Sequence, residues 1–203
     1  MRLTVHHCNR TAMQGSPDAQ TDEIKVWDPL LRIFHWGLVA TFVLGYLTWE
    51  RHYTLHLGAG HAVLGLVVFR ILWGFGGSPH ARFSDFIRGP ARVAAYLRAV
   101  VAGQAPRFLG HNPAGGIMIL LLLTTLLAIT LSGVALDAAE NRAGPLGDTQ
   151  LFLYRGLIRK THETATNLAL VLVVLHLLGI AYTGLVHREN LVRAMVSGRK
   201  RRE

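Results

Sequence analysis

Long apolar runs without charged residues dominate the pattern along the chain. Residues 114–136 carry no charge across 23 positions and residues 165–186 carry none across 22, against the roughly 20 needed to cross the hydrocarbon core. Residues 33–49 form a third charge-free run, with tryptophans near its ends as in interfacial aromatic belts. A fourth run, residues 56–75, is interrupted by Arg70, whose long side chain can reach the interface. The pattern therefore predicts four membrane-spanning helices.

The expected fold is an all-α membrane protein, a four-transmembrane-helix bundle. The predicted organisation is a polar N-terminal segment 1–26, a bundle domain 27–190 and a basic tail 191–203. Within the bundle domain the spans are expected at about 33–49, 56–75, 114–136 and 162–186. The Gly-Arg-Lys-Arg-Arg segment of the tail is predicted to be disordered.

Basic residues gather on one side of the four spans. Fifteen Lys and Arg residues lie in the N-terminal segment, the loop between spans two and three, and the tail, against five in the other loops. The positive-inside rule then places both termini in the cytoplasm. The net charge of +9 suits loops against an anionic leaflet. Nucleic-acid binding is not favoured, because the basic residues flank apolar runs and do not gather on a polar domain.

The loop between spans two and three contains one further helical pattern. Pro90 to Ala102 has mixed basic and apolar positions, with a proline favoured in the first turn and Gly103 as a stop. It suits a helix lying on the inner leaflet. A solvated loop helix is nearly as good an interpretation.

Cys8 is the single cysteine of the chain. An internal disulfide, an iron–sulfur cluster and covalent haem attachment through C-x-x-C-H are therefore excluded. Residues 1–26 lack the apolar run of a cleavable signal peptide. Either Met1 or Met13 is a plausible start.

Histidines are the unusual residues of the spans. His35, His61 and His176 lie inside them, and His56 and His162 at the starts of spans two and four. One intramembrane histidine is more often a packed or hydrogen-bonded residue than a ligand, but several together favour a functional site.

His162 and His176 are separated by fourteen residues on one helix. At about 100° and 1.5 Å per residue, both imidazoles leave the same face about 21 Å apart. In the N-in topology, His35 can face His176 and His56 can face His162. Such imidazole pairs suit the two axial positions of low-spin haem iron. With both positions filled there is no open site for oxygen chemistry, so electron transfer is the expected function. A histidine-based metal transporter and an anchor subunit with packing histidines are the alternatives.

Cationic side chains at the depths of these histidines are candidate partners of haem propionates. These are Arg32, Arg70, Arg159 and Lys160. Positive-inside anchoring explains Arg32 and Arg70 about as well. Glycines in the spans could allow close approach of helices or of a macrocycle, as at Gly37, Gly45, Gly60, Gly65, Gly133 and Gly179.

At these residues the chain resembles the bacterial cytochrome b561 and nickel–iron hydrogenase cytochrome b subunits, over residues 25–202. The matching stretches are 26–29 (VWDP), 32–36 (RIFHW), 55–56 (LH) with Gly60, 69–74 (FRILWG), 81–86 (ARFSDF), 110–115 (GHNPAG), 162–163 (HE) and 175–176 (LH). One departure is His61, at a position that is often aromatic in the family.

The resemblance implies a bacterial inner-membrane cytochrome with two haem b groups that is linked to quinone in a respiratory chain. It implies His35 and His176 on one iron, and His56 and His162 on the other, with His61 as an alternative to His56. His111 also matches and has either a quinone-site or a structural role. The expected function is electron transfer, as a quinone oxidoreductase subunit, between quinone and a soluble periplasmic cytochrome or hydrogenase-like redox subunit. An anchor subunit of a hydrogenase or dehydrogenase complex is the alternative.

Overall fold

The computed structural model describes residues 23–202. Its elements in chain order are β1 (Glu23–Lys25), α1 (Pro29–Thr48), α2 (Tyr53–Gly76), α3 (Phe83–Phe86), α4 (Pro90–Val101), α5 (Pro113–Asn141), a 3-10 turn (Leu151–Tyr154), α6 (Arg155–His187), α7 (Leu191–Ser197) and β2 (Arg199–Arg201). Helices α1, α2, α5 and α6 are long and apolar enough to cross a membrane. The four predicted spans are confirmed. The predictions for residues 1–22, including Cys8 and Met13, lie outside the described residues.

Each spanning helix is longer than its predicted run, and in α1 and α5 a capping side chain outside the run starts the helix. The Asp28 carboxylate caps α1 by accepting from the Leu31 N–H at 2.9 Å. The Asn112 side chain caps α5 by accepting from the Gly115 N–H at 2.7 Å. A proline follows each cap in the first turn, where its fixed φ favours helix. The hydrophobic pattern therefore gives the span, and the capping residue gives the helix boundary.

The four long helices run up and down in an antiparallel bundle. Helix α1 packs on α2, α2 on α5, and α5 on α6, whereas α1 and α6 share far less contact. The outward side chains are apolar and exposed, with Leu47 70%, Phe75 75% and Leu185 81% accessible. Lipid covers such surfaces in a membrane protein, and closed helices satisfy their own backbone polar groups there. The all-α membrane fold is confirmed.

The bundle has two chemically different ends. The terminal end carries residues 23–28, 77–112 and 188–202, and the opposite end carries the connections 49–52 and 142–154. Helix α4 forms where the sequence predicted it and packs against α5. Tyr182 of α6 donates to the Val100 carbonyl at 3.0 Å, while Val101 beside it is 90% exposed. The terminal end therefore has an extra layer of short helices over the bundle.

The prediction of a disordered tail is wrong. Strand β2 pairs antiparallel with β1, with Ile24 opposite Lys200. Gly198 turns the chain between α7 and β2 at φ 80, and a Cβ there would lie 2.7 Å from the Trp27 carbonyl oxygen. Only glycine fits this turn. The tail is held because Lys200 is buried and lies 3.2 Å from the Glu189 carboxylate.

Candidate functional site

His56 and His162 lie next to each other near the opposite end of the bundle. Their ring centroids are 6.2 Å apart and the rings are almost perpendicular, at 78°. His56 comes from the first turn of α2, and His162 from the second turn of α6. Two helices that are not neighbours in sequence therefore bring two imidazoles together, as their spacing predicted.

Backbone carbonyls orient both imidazoles of this pair. His56 Nδ1 lies 2.9 Å from the Gly45 carbonyl oxygen of α1, and His162 Nδ1 lies 2.9 Å from the Ile129 carbonyl oxygen of α5. Since a carbonyl oxygen only accepts, each Nδ1 carries the proton and each Nε2 keeps its lone pair. Metal-ligating histidines use this arrangement, which fixes the tautomer and makes Nε2 a better donor.

Gly133 provides the space for the His162 ring. A Cβ at this position would lie 3.2 Å from His162 Cε1 and 3.5 Å from His162 Nδ1. This contact would be tighter than ordinary van der Waals packing, so a larger residue would displace the ring. The donor chemistry of the pair and its supporting backbone therefore fit a metal held by the two Nε2 atoms.

His61 does not join this pair. Its side chain is exposed, and its Nδ1 lies 2.9 Å from the Leu57 carbonyl oxygen of its own helix. Positions 56 and 61 differ by about 140° around a helix, so only one of them can face α6. The structure points His56 toward α6.

His35 and His176, the second predicted pair, lie nearer the terminal end of the bundle. They come from α1 and α6, which flank the less tightly packed side of the bundle. His35 Nδ1 is buried and has no hydrogen-bond partner among the described residues. A buried imidazole nitrogen without a partner suits a site that binds a further group.

Arg70 is the buried cation of the terminal end. Only 2% of it is accessible, and its guanidinium lies over the rings of Phe83 and Phe86, 5.2 and 5.8 Å from their centroids. Its Nη1 atom is buried without a hydrogen-bond partner in residues 23–202. Asp28 attracts it electrostatically. A buried guanidinium with a spare donor suits an acidic group of a cofactor.

The other predicted cations have different surroundings. Arg32 donates to the Val196 carbonyl and so attaches α7 to α1. Arg159 forms an ion pair with Glu140 of α5. Lys160 is exposed. It precedes His162 by two positions, so the two side chains point about 200° apart around α6. Arg159 is thus paired with α5 and Lys160 is exposed, whereas Arg32, about one turn before His35 on α1, has a buried Nε without a hydrogen-bond partner in residues 23–202 and stays a candidate partner of a propionate.

His111 lies between aromatic rings at the terminal end. Its ring centroid is 4.6 Å from that of Trp27 and 4.9 Å from that of Phe86. Burial lowers the pKa of His111 to about 3, and the charges of Arg70 and Lys200 act in the same direction. His111 is therefore neutral at physiological pH. Its Nδ1 is buried without a partner in the described chain.

The sequence reasoning missed Ser132 as a residue of the site. Its hydroxyl oxygen lies 3.2 Å from His162 Nδ1. Serine in a spanning helix usually bonds to its own backbone, so the sequence carries no specific signal at this position. The faces of α5 and α6 that meet had to be known before this contact could be found.

A four-helix membrane bundle in which His56 faces His162, and His35 and His176 lie nearer the other end, has the features of the class of membrane cytochromes b. The prokaryotic cytochrome b561 family model matches residues 26–198, and the chain belongs to this family. It is therefore a multi-pass bacterial membrane protein that holds haem b and works in electron transfer.

One relative supports this family assignment over the full length. The probable Ni/Fe-hydrogenase B-type cytochrome subunit of Rhizobium leguminosarum bv. viciae is 22% identical in an alignment of 240 positions. That alignment covers 98% of this chain and 97% of the relative. No solved structure matches the chain.

Proposed function

We propose that the chain is a di-haem cytochrome b that passes electrons between a redox partner at the outer face of the bacterial inner membrane and membrane quinone. His56 and His162 ligate the outer iron, and His35 and His176 ligate the inner iron. The observation that carries the proposal is the outer pair, with centroids 6.2 Å apart and both Nδ1 protons engaged by carbonyls. This arrangement leaves two Nε2 lone pairs for one metal.

Haem b supplies one-electron redox chemistry when it is bound. If haem binds as proposed, two histidines would hold each iron, and no coordination site would be left open for oxygen chemistry. Arg70 is positioned to neutralise a propionate of the inner haem, since its guanidinium is buried and has a free donor. The apolar spans exclude water from both sites. Electron transfer between the partner and quinone is the role that these residues support.

The name of the Rhizobium relative favours one form of this role. That relative is a hydrogenase cytochrome subunit by name, so this chain would be the membrane subunit that receives electrons from a hydrogenase-like enzyme. A soluble periplasmic cytochrome is the other candidate partner. The mixed-charge surface of the opposite end suits docking of either, because complementary potentials steer association. A histidine metal transporter is disfavoured by membership of a cytochrome family.

The proposal predicts two haems per chain. Purified protein, reduced and examined by visible spectroscopy, should give a b-type α-band. Pyridine extraction should release all of the haem, because no covalent attachment motif is present. Haem and protein are quantified on the same sample, expressed with an ample haem supply. A reproducible ratio of one haem per chain, or none, would contradict the di-haem proposal.

The same proposal places both termini in the cytoplasm. Cysteines introduced at exposed positions test this, with Cys8 replaced by serine so that each variant has one thiol. In intact spheroplasts an impermeant maleimide should label Asp148→Cys at the opposite end and should label Gln104→Cys at the terminal end only after lysis. Both positions are exposed, so accessibility in the fold is matched. The reverse labelling pattern would invert the topology and exchange the inner and outer sites.

A further inference from the structure

The outer and inner imidazole pairs differ in the hydrogen bonds that hold them. In the outer pair, both Nδ1 atoms lie 2.9 Å from carbonyl oxygens of neighbouring helices. In the inner pair, the buried His35 Nδ1 has no partner within residues 23–202. The two sites are chemically unequal although each contains two histidines.

The Ser132 hydroxyl completes the surroundings of His162. Its Oγ donates to the carbonyl oxygens of Ala128 at 2.6 Å and Ile129 at 3.0 Å. The proton of Oγ is thus directed at the backbone, and its lone pairs are free to accept from His162 Nδ1–H at 3.2 Å. The Nδ1–H of His162 is therefore shared between the Ile129 carbonyl and the Ser132 hydroxyl.

Gly133 allows the His162 ring to lie where its Nδ1–H reaches both the Ile129 carbonyl and the Ser132 hydroxyl. Its missing side chain lets the His162 ring lie against α5, where a Cβ would be 3.2 Å from Cε1. One turn of α5, residues 129–133, thus supplies the carbonyl, the hydroxyl and the space. We propose that Ser132 is a positioning residue for His162 that strengthens its Nε2 donor and makes the outer haem harder to reduce.

The physical reason lies in the electronics of imidazole. A hydrogen bond from Nδ1–H increases electron density on the ring and makes Nε2 more basic. A more basic ligand favours ferric over ferrous iron, and hydrogen bonding to the ligating imidazole is an established control of haem potential. This inference rests on the proposed ligation of haem by His56 and His162.

The test is a redox titration of Ser132→Ala with both haems bound. The midpoint potential of the outer haem should rise, shifting its reduction equilibrium a few-fold, as expected for one hydrogen bond. The inner haem, more than a helical turn away from Ser132, should keep its potential. Ser132→Thr retains the hydroxyl and should restore the wild-type value.

Thr130→Val provides the matched control. Within residues 23–202 the Thr130 hydroxyl donates only to carbonyls of its own helix, those of Leu126 at 3.0 Å and Leu127 at 3.1 Å. Its removal should leave both potentials in place. The low-spin ferric EPR signal of the outer haem, which responds to imidazole orientation, gives a second readout.

The outcomes separate this inference from the proposed function. Fewer than two haems in the wild type would defeat the function itself. Two haems with unchanged potentials and EPR signals in Ser132→Ala would overturn the role of Ser132 and leave the function standing. Equal shifts in Ser132→Ala and Thr130→Val would also overturn it, because the effect would then come from packing of α5.

Discussion

Replacing His162 with alanine is expected to remove one haem and leave the other in place, halving the haem content. His56→Ala should give the same spectrum, because the two imidazoles have ring centroids 6.2 Å apart and the proposal assigns both of them to one iron. His35→Ala and His176→Ala should each remove the other haem. The low-spin signal of the affected site is expected to be lost nearly completely, because the one remaining imidazole would leave the site five-coordinate or vacant.

His61→Ala is the control for these variants. It removes an imidazole from the same helix as His56, but one that is exposed and bonded to its own helix through the Leu57 carbonyl. It should keep both haems. The measurement is haem content with the low-temperature α-band, which resolves two b haems of different environment. If His61→Ala matched His162→Ala and His56→Ala did not, His61 would be the ligand.

Glu189→Ala is expected to destabilise the protein by about 3 kcal/mol, the cost typical of leaving a buried charge without its partner. Glu189 accepts from Arg107 and lies 3.2 Å from Lys200 Nζ. The accessible fraction of the Lys200 side chain is only 5%. Without the carboxylate, two cations face each other in the fold. Thermal unfolding in detergent, with tryptic release of the tail as a second readout, measures the effect.

Two variants are controls for this effect. Glu140→Ala breaks the exposed Arg159–Glu140 pair, with accessible fractions of 57% and 30%, and should cost less than about 1 kcal/mol. Glu189→Leu combined with Lys200→Met removes both charges and should cost less than Glu189→Ala alone. If Glu189→Ala and Glu140→Ala were equally mild, the tail would not be held by this cluster.

In the cluster of Glu189, Arg107 and Lys200, the carboxylate and the ammonium respond differently to burial, as their pKa values indicate. Burial alone would raise the pKa of Glu189, but the hydrogen bond from Arg107 and the charge of Lys200 outweigh it and lower the pKa. Burial lowers the pKa of Lys200, and Glu189 opposes this. The carboxylate thus gains from the cluster while the ammonium is desolvated. Because the pKa of Glu189 is lower when folded, its contribution is present above its usual value and declines as pH falls below 4.5.

Much of the bundle could be predicted from local properties of the sequence. Residues 114–136 and 165–186 are spans because an uncharged run of that length has no stable place in water. The shared face of His162 and His176 follows from helical periodicity alone. Helix α4 was predicted from its proline, its glycine and its pattern of polar positions. Each of these depends on neighbours within a few turns.

Contacts between helices could not be predicted from the sequence in the same way. Ser132 became visible as a partner of His162 only when α5 and α6 were packed, because rotation of a helix about its axis is set by side chains on another helix. The ion pair of Arg159 with Glu140 likewise depends on that packing. The position of Arg159 along its span predicted that it lies at the membrane depth of a haem. The sequence could not show which group the guanidinium contacts.

The sequence by itself determined the number of spans, the two depths of the histidines and the basic character of the terminal end. Only the tertiary structure showed that the tail is a strand beside β1, and it points His56, already preferred over His61 from the sequence, toward α6. Hydrophobic length and helical period are local quantities, so they can be read along the chain. Burial of Lys200 against Glu189 joins segments that meet only in the folded bundle, and this contact orders a tail whose composition alone indicates disorder.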